Sequence, residues 1–192
     1  MKKVSCFYIT FHSWNKQSKK IESKNLTSNT WVLNLEDIEK ETSKLLVKVR
    51  FADRKPKSTK NVFQTGDVLY GKLRPYLDKV LVADENGVCT TEILPISAYF
   101  GVNSSYMRIV LKSPVFRKYV NSVTYGMKMP RLGTTDGRKA LFSLPPFNEQ
   151  VRIVKKVDKL TKLCAELNDK IEENQNNSEL LNKVVLKEVF AF

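Results

Sequence analysis

The chain has 192 residues, 42% of them hydrophobic and 10% aromatic, which is enough to bury a core and too apolar for a disordered segment. No apolar run approaches the roughly 18 residues a membrane span needs. The start, Met1-Lys2-Lys3 and then Val4 to Phe11, is too short and too interrupted by Ser5 and Thr10 for a signal peptide, so a soluble, cytoplasmic protein is expected. Three cysteines (Cys6, Cys89, Cys164) and one histidine (His12) are too few and too scattered for a zinc site or a disulfide framework.

The net charge is +13, and it is unevenly placed. Residues 1–60 hold 14 Lys/Arg against 6 Asp/Glu, residues 61–147 hold 11 against 6, and residues 148–192 hold 8 against 8. All the excess therefore lies in the first 147 residues. A basic globular part points to a polyanionic partner, while the neutral tail calls for a different explanation.

Residues 1–30 are Lys/Ser/Asn-rich with little period and stand apart as a segment of uncertain order. Trp31 to Leu35 reads as a strand, Glu36 to Glu41 as an acidic turn, and Leu45 to Phe51 as a half-buried alternating strand. Ala52 to Asn61 follows as a basic loop with Arg54, Lys55, Lys57 and Lys60 around Pro56. Asp67 to Leu73 and Lys79 to Ala83 read as strands separated by Arg74-Pro75-Tyr76. Asn86-Gly87 predicts a tight hairpin turn, with Val88 to Ile96 as the returning strand. Ser104 or Ser105 is the expected cap of one helix. A second helix fits Pro114 to Val123, with Val115, Phe116, Tyr119, Val120 and Val123 on one face. Tyr125 to Lys139 is a Gly-punctuated basic stretch, and Leu144-Pro145-Pro146-Phe147 closes the body.

Beyond that break the character changes. Asn148 is the expected N-cap, and no Gly or Pro occurs from there to the end. Alternating steps of four and three from Ile153 reach Val157, Leu160, Cys164, Leu167, Ile171, Asn174, Ser178, Leu181 and Val185, of which only Asn174 and Ser178 are polar. This is a coiled-coil seam. Its polar pair either sets register or marks a loop between two shorter helices. The expected fold class is α+β: a basic globular mixed domain over 31–146, then a long C-terminal α-helix over 147–192 that forms a coiled coil with another helix.

Two tempting motifs fail on chemistry. Gly66-Asp67-Val68-Leu69-Tyr70-Gly71-Lys72-Leu73 has the spacing of a phosphate-binding loop, but Leu73 stands where Ser or Thr must hold magnesium. Leu144-Pro145-Pro146-Phe147 has the shape of an amino-methyltransferase tetrad, but Leu144 cannot accept a hydrogen bond from a target amine. The head's acids (Asp67, Asp78, Asp84, Glu85, Glu92, Asp136) are spread over turns and strand ends, so nothing nominates a catalytic centre or a metal site.

The run from Gly66 to Val80, Gly-Asp-Val-Leu-Tyr-Gly-Lys-Leu-Arg-Pro-Tyr-Leu-Asp-Lys-Val, is followed by Gly87-Val88-Cys89-Thr90-Thr91-Glu92-Ile93. Together they resemble the target-recognition domain of type I restriction–modification specificity subunits. A second block agrees: Lys128-Met129-Pro130-Arg131, then Leu144-Pro145-Pro146-Phe147-Asn148-Glu149-Gln150-Val151-Arg152-Ile153-Val154. It is similar to the family's junction between that domain and its helix. The resemblance covers residues 30–190 and implies a half-subunit, with one head and one helix where the family usually carries two. A natural half-length protein, a split-gene remnant and a fragment all fit.

What the resemblance implies is a non-catalytic, sequence-specific reader of one half of a split site in double-stranded DNA. DNA-methyltransferase subunits and motor–nuclease subunits would dock on it. S-adenosylmethionine, ATP and magnesium would sit on those partners, with no cofactor on this chain. On this resemblance residues 31–146 would be the target-recognition domain, and the C-terminal helix would form an antiparallel coiled coil with a second copy or with another specificity subunit.

Groove reading requires phosphate contacts first and base contacts second. Phosphate candidates are Lys72, Arg74, Lys79, Lys128, Arg131, Arg138 and Lys139, with Lys55 and Lys57 in the earlier loop. Arg131, Thr134 and Thr135 are the base-reading candidates. The competing readings are a small nuclease with a helical dimerisation arm and a general nucleic-acid-binding scaffold.

Overall fold

The computed structural model describes residues 7–10, 19–98 and 101–190, so Cys6 and His12 lie outside the described residues. The chain divides into two compact units, Met1–Val151 and Arg152–Phe192. Among the described residues no helix is long and apolar enough to cross a membrane.

Among the described residues, the first unit holds three small sheets. A four-stranded sheet has the order β2 (Lys20–Ile21), β4 (Lys60–Phe63), β7 (Gly87–Cys89), β3 (Trp31–Leu33), with β3 parallel to β7 and the other pairs antiparallel. An antiparallel three-stranded sheet has the order β6 (Val80–Val82), β5 (Val68–Gly71), β8 (Ile93–Ile96). A two-stranded ribbon pairs β1 (Phe7–Thr10) with β9 (Leu141–Leu144). Four short helices complete the unit: α1 (Phe51–Arg54), α2 (Ser104–Leu111), α3 (Pro114–Val123) and α4 (Thr134–Lys139). The described parts of the first thirty residues thus supply β1 and β2.

Strand β5 is buried along its whole length because each face meets a different core. Val68 and Tyr70 join Val80, Ile96, Met107, Leu111, Phe116, Val120 and Leu132 under α2 and α3. Leu69, one residue out of phase, joins Trp31, Leu33, Ile38, Phe63, Cys89 and Ile93 of the other sheet. Period-two alternation makes this possible, since neighbouring side chains leave a strand on opposite faces. Burial pushes the Tyr70 hydroxyl and the Cys89 thiol far above their ordinary values, so both stay neutral and inert.

Several sequence expectations change here. Asn86-Gly87 does not close a hairpin: β6 pairs with β5, whereas β7 lies between β3 and β4 in the other sheet. Gly87 is needed for space and not for turn geometry. It is paired with Trp31 on one side and Phe63 on the other, and those two rings meet edge to face at 5.1 Å. A Cβ on Gly87 would stand 2.7 Å from the Phe63 ring and 2.8 Å from the Trp31 carbonyl oxygen. The expected strand 88–96 is accordingly two strands in two sheets.

Leu45 to Phe51 makes only isolated bridges, Ile38 to Leu45 and Trp31 to Arg50, and Leu46 and Val47 stay exposed. Backbone bonds from the Val32 amide to the Val49 carbonyl (2.9 Å), from the Leu46 amide to the Asp37 carbonyl (2.8 Å) and from the Phe51 amide to the Thr30 carbonyl (2.8 Å) hold that segment, and ion pairs add to them. Lys48 reaches Asp84 at 2.9 Å and lies 4.6 Å over the Trp31 ring, and Arg50 pairs with Glu85. Asn103, not a serine, caps α2 by accepting from the Tyr106 amide at 3.0 Å. In α3 Phe116 and Val120 are buried as expected, but Val115 is 76% exposed. The segment read as a basic stretch contains α4 and leads directly into β9.

The last helix, α5, runs without interruption from Phe147 to Phe190, one residue earlier than the expected Asn148 cap and straight through Asn174 to Ser178. Gln150, fully buried, anchors its start. Its amide nitrogen donates to the carbonyls of Pro145 (2.9 Å) and Gly101 (3.0 Å), and its oxygen accepts from the Asn103 amide at 2.9 Å. At 1.5 Å per residue the helix is about 66 Å long.

Packing around Gly87 and the ion pairs of Lys48 and Arg50 can both be tested. Gly87→Ala should destabilise the first unit by about 1–3 kcal/mol, read as a lower urea midpoint with unchanged far-UV circular dichroism. Arg50 and then Lys48 hold the Glu85 carboxyl below its ordinary value of 4.5, so its pairing stabilises the fold above that pH and is lost as pH falls through the lowered value. Glu85→Gln should therefore flatten the acid limb of a stability-versus-pH curve while leaving its shape above about pH 6 unchanged.

Candidate nucleic-acid interface

As β5 ends, its exit is clasped from two sides. The Lys72 amide donates to the Glu92 carbonyl at 2.9 Å, and the Lys72 carbonyl accepts from the Leu132 amide at 2.9 Å. The Arg74 amide donates to the Pro130 carbonyl at 2.7 Å. Tyr125 and Arg131 bond to each other through both amides, closing a loop over Gly126-Met127-Lys128-Met129-Pro130. Gly126 makes the bend with φ of 95°. These bonds gather Lys72, Arg74, Lys128 and Arg131, from two distant stretches of sequence, onto one strip of surface.

The strip is well exposed. Arg74 and Lys128 are exposed and Lys72 is half-buried. Arg131 keeps 41% of its side chain accessible while its Nε lies 3.0 Å from the Glu92 carboxylate, which fixes its direction. Arg74 adopts the left-handed conformation, φ 50° and ψ 61°, immediately before Pro75. This is unfavourable for a non-glycine residue and doubly so before proline. Backbone strain of this kind costs on the order of 1–3 kcal/mol and persists where the surroundings impose it; here the bond to Pro130 does so.

Helix α4 continues from the loop. Thr134 is half-buried in its first turn, and Thr135 is exposed. The Tyr119 hydroxyl donates to the Asp136 carbonyl at 2.7 Å and ties α4 to α3. Arg138 is half-buried and lines a small apolar hollow with Tyr70, Leu94 and Leu132. Lys139 is exposed, 3.5 Å from Asp136.

Three cations do not join this strip. Lys79 turns inward: its ammonium donates to the Leu35 carbonyl at 2.7 Å, and burial lowers its proton affinity. That bond holds the side chain against the Leu35 turn. Lys55 and Lys57 are exposed but follow α1, beside the four-stranded sheet. In α1, Arg54 is committed to Asp37 (2.7 Å) and the Val32 carbonyl (3.1 Å).

Sequence reasoning missed the apolar members of the loop. Tyr125 is 58% exposed, Met127 99% and Met129 55%, with Tyr76 51% exposed beyond Arg74. The sequence signal for Met127 and Met129 is Gly126 and Pro130 bracketing them, which marks a loop but not its exposure.

In the second unit, the seam residues Leu160, Cys164, Leu167, Ile171, Asn174, Ser178, Leu181 and Val185 are all exposed, while Ile153 and Val157 are half-buried. Leu163, Leu180, Val184, Leu186, Val189 and Phe190 widen the exposed apolar surface toward the C-terminal end.

Known proteins place this arrangement. The specificity subunit of the type I restriction enzyme EcoDI from Escherichia coli is 28% identical over 121 residues, 63% of this chain and 26% of that subunit. The chain is homologous to type I specificity subunits. The HsdS subunit of Thermoanaerobacter tengcongensis superposes with a TM-score of 0.80 at 22% identity, over 97% of this chain and 50% of that one. A chain from a structure describing complex assembly and conformational transition of a type I restriction–modification system gives 0.84, also at 22% identity, over 99% and 51%. The S subunit of M. genitalium gives 0.56 at 14% identity. No family model matches the chain. The homologue thus spans about half the length of the solved subunits it resembles, and it shares their α+β fold with a long helix.

The strained residue offers a direct check. Asn tolerates the left-handed region, so Arg74→Asn should leave the unfolding free energy from urea titration within about 0.5 kcal/mol of the parent. Arg74→Val, β-branched, should cost at least about 1 kcal/mol.

Proposed function

We propose that this chain is the DNA-recognition subunit, itself non-catalytic, of a type I restriction–modification complex, reading one half of a bipartite site in double-stranded DNA. The observation that carries this reading is the strip formed by Lys72, Arg74, Lys128 and Arg131, held rigid by backbone bonds yet open to solvent. A neutral α5 following a body that carries all the excess charge supports it, as does the homology.

The chemistry assigns the strip's parts. Lys72, Arg74 and Lys128 neutralise phosphates and set the register. Arg131, aimed by Glu92, has the planar fork that matches the guanine edge in the major groove. Thr135, exposed in the first turn of α4, follows in the same chain segment and suits a thymine methyl. Methyl transfer, translocation and cleavage belong to methyltransferase and motor–nuclease partners in the cytoplasm, which bring S-adenosylmethionine, ATP and magnesium. The apolar residues off the α5 seam (Leu180, Leu186, Phe190) provide a surface for those partners, and the seam itself pairs with a second copy or with another specificity subunit.

Fluorescence anisotropy of the full chain on duplex DNA tests the electrostatic part. With Lys72, Arg74 and Lys128 neutralising about three phosphates, log affinity should fall with log salt at a slope of about −2.7. Arg74→Asn and Lys128→Ala should each reduce that slope by about 1 and weaken all sequences alike. Arg131→Ala should instead erode the preference for one base position by about 1–3 kcal/mol. A slope near zero, or equal affinity for every sequence, would remove DNA recognition as the function.

A further inference from the structure

Between Tyr125 and Arg131 the chain makes a narrow hairpin loop whose tip is apolar. Met127 is 99% exposed and Met129 is exposed as well, with Lys128 between them in sequence. Resting on the reading of the strip as a DNA surface, we infer that this tip enters the major groove and that Met127 covers the 5-methyl group of a thymine there. Met127 is then a specificity-determining residue for a T·A pair close to the base pair read by Arg131.

Shape selects the groove. Tyr125 and Arg131 exchange both backbone bonds, at 3.3 and 2.9 Å. The Arg131 arm is fixed in turn to the end of β5, by the Arg74 amide on the Pro130 carbonyl (2.7 Å) and the Leu132 amide on the Lys72 carbonyl (2.9 Å). Toward the tip the two arms close up, and a Cβ on Gly126 would stand 3.2 Å from the Met129 carbonyl oxygen. Paired strands have Cα atoms about 4.5–5.5 Å apart, and the major groove, about 12 Å wide, admits a two-stranded ribbon of that size. The minor groove, about 6 Å wide, is too narrow for it.

Charge selects the partner. Residues 125–131 contain two cations and no carboxylate, and Lys72 and Arg74 are bonded alongside them. The acid that reaches this site, Glu92, is engaged by the Arg131 Nε at 3.0 Å. An apolar tip rimmed by cations is the complement of a surface with anionic edges and an isolated apolar feature on its floor. Duplex DNA has that surface: phosphates line the groove, and the thymine methyl is the apolar group on the major-groove floor.

Methionine suits such a contact, because its unbranched thioether chain adapts to a small apolar target. It is less suited to act as a wedge, since prying a base step open offsets most of what burying one methionine contributes. From Met127 to Arg131 the chain reaches at most about 14 Å, or about four base-pair rises. The thymine therefore lies within about four base pairs of the Arg131 position.

Anisotropy of the full chain tests this on duplexes that the chain itself selects from a random-sequence pool. Each thymine of the selected site is replaced in turn by deoxyuridine, which removes the 5-methyl and keeps every hydrogen-bonding group. One replacement, within about four base pairs of the position whose preference Arg131→Ala erodes, should weaken binding about fourfold, the equivalent of about 0.8 kcal/mol for one buried methyl-sized group. Met127→Ala should bind the thymine and deoxyuridine duplexes equally, with the parent's urea midpoint and the parent's salt slope, because the side chain is exposed and uncharged. Met127→Leu, which keeps an apolar chain, should restore at least a twofold preference for thymine.

A deoxyuridine loss that persists in Met127→Ala belongs to another residue and overturns the inference. So does a selected site in which no replacement near the Arg131 position matters. A rise in 2-aminopurine fluorescence beside the site that Met127→Ala abolishes would mean an unstacked base step, and a wedge would replace the methyl contact. In all three cases the salt slope and the selected sequence still stand, so DNA recognition survives. A chain that selects no sequence removes that reading and this inference together.

Discussion

The burial of β5 on both faces is the constraint from which the order of the first unit follows. A four-residue strand that sends Val68 and Tyr70 into one core and Leu69 into the other makes two small hydrophobic clusters share a wall. Neither cluster is large, and each loses a side if β5 shifts by one residue, because a one-residue slip exchanges every side chain between faces. The register of β5 against β6 and β8 is therefore pinned twice. Whatever leaves the end of that strand is held as firmly as the core itself.

What leaves it is the cationic strip. Lys72 and Arg74 follow β5 directly, and the segment carrying Lys128 and Arg131 is bonded alongside them by the Pro130 carbonyl and the Leu132 amide. Rigid support matters for groove recognition because base contacts must be placed to within a fraction of an ångström, whereas phosphate contacts tolerate more play. The left-handed Arg74 belongs to the same logic. Its strain is imposed by the bond to Pro130 and offset by the stability of the doubly buried strand.

The second unit obeys the opposite rule. Leu160, Leu167, Ile171, Leu181 and Val185 are about half exposed or more, which an isolated helix in water tolerates poorly. Where the first unit buries two hydrophobic clusters internally, α5 leaves its apolar seam exposed, with Asn174 and Ser178 as polar positions within it. The exposed cations of the body and the exposed apolar seam are thereby separated along the chain, as the distribution of charge already is.

Much of this was legible in the residues. The basic head, the neutral seam, β3, the strands β5 and β6 and the helix α3 all follow from patterns local to a few turns or strands, where period and charge are decided by near neighbours. The seam's polar break was legible as a position, but its helical continuity was not, because Asn-rich sequence is compatible with either a loop or a solvated helix face. Residue order alone thus settles where strong periodicity makes strand or helix, and where the excess charge lies. Folding in three dimensions had to assign each strand to its sheet, make Gly87 a spacer under Trp31 and Phe63, withdraw Lys79 to the Leu35 carbonyl, and bare the loop at Met127. Those outcomes turn on contacts between residues up to tens of positions apart, and such long-range contacts leave no trace in local composition.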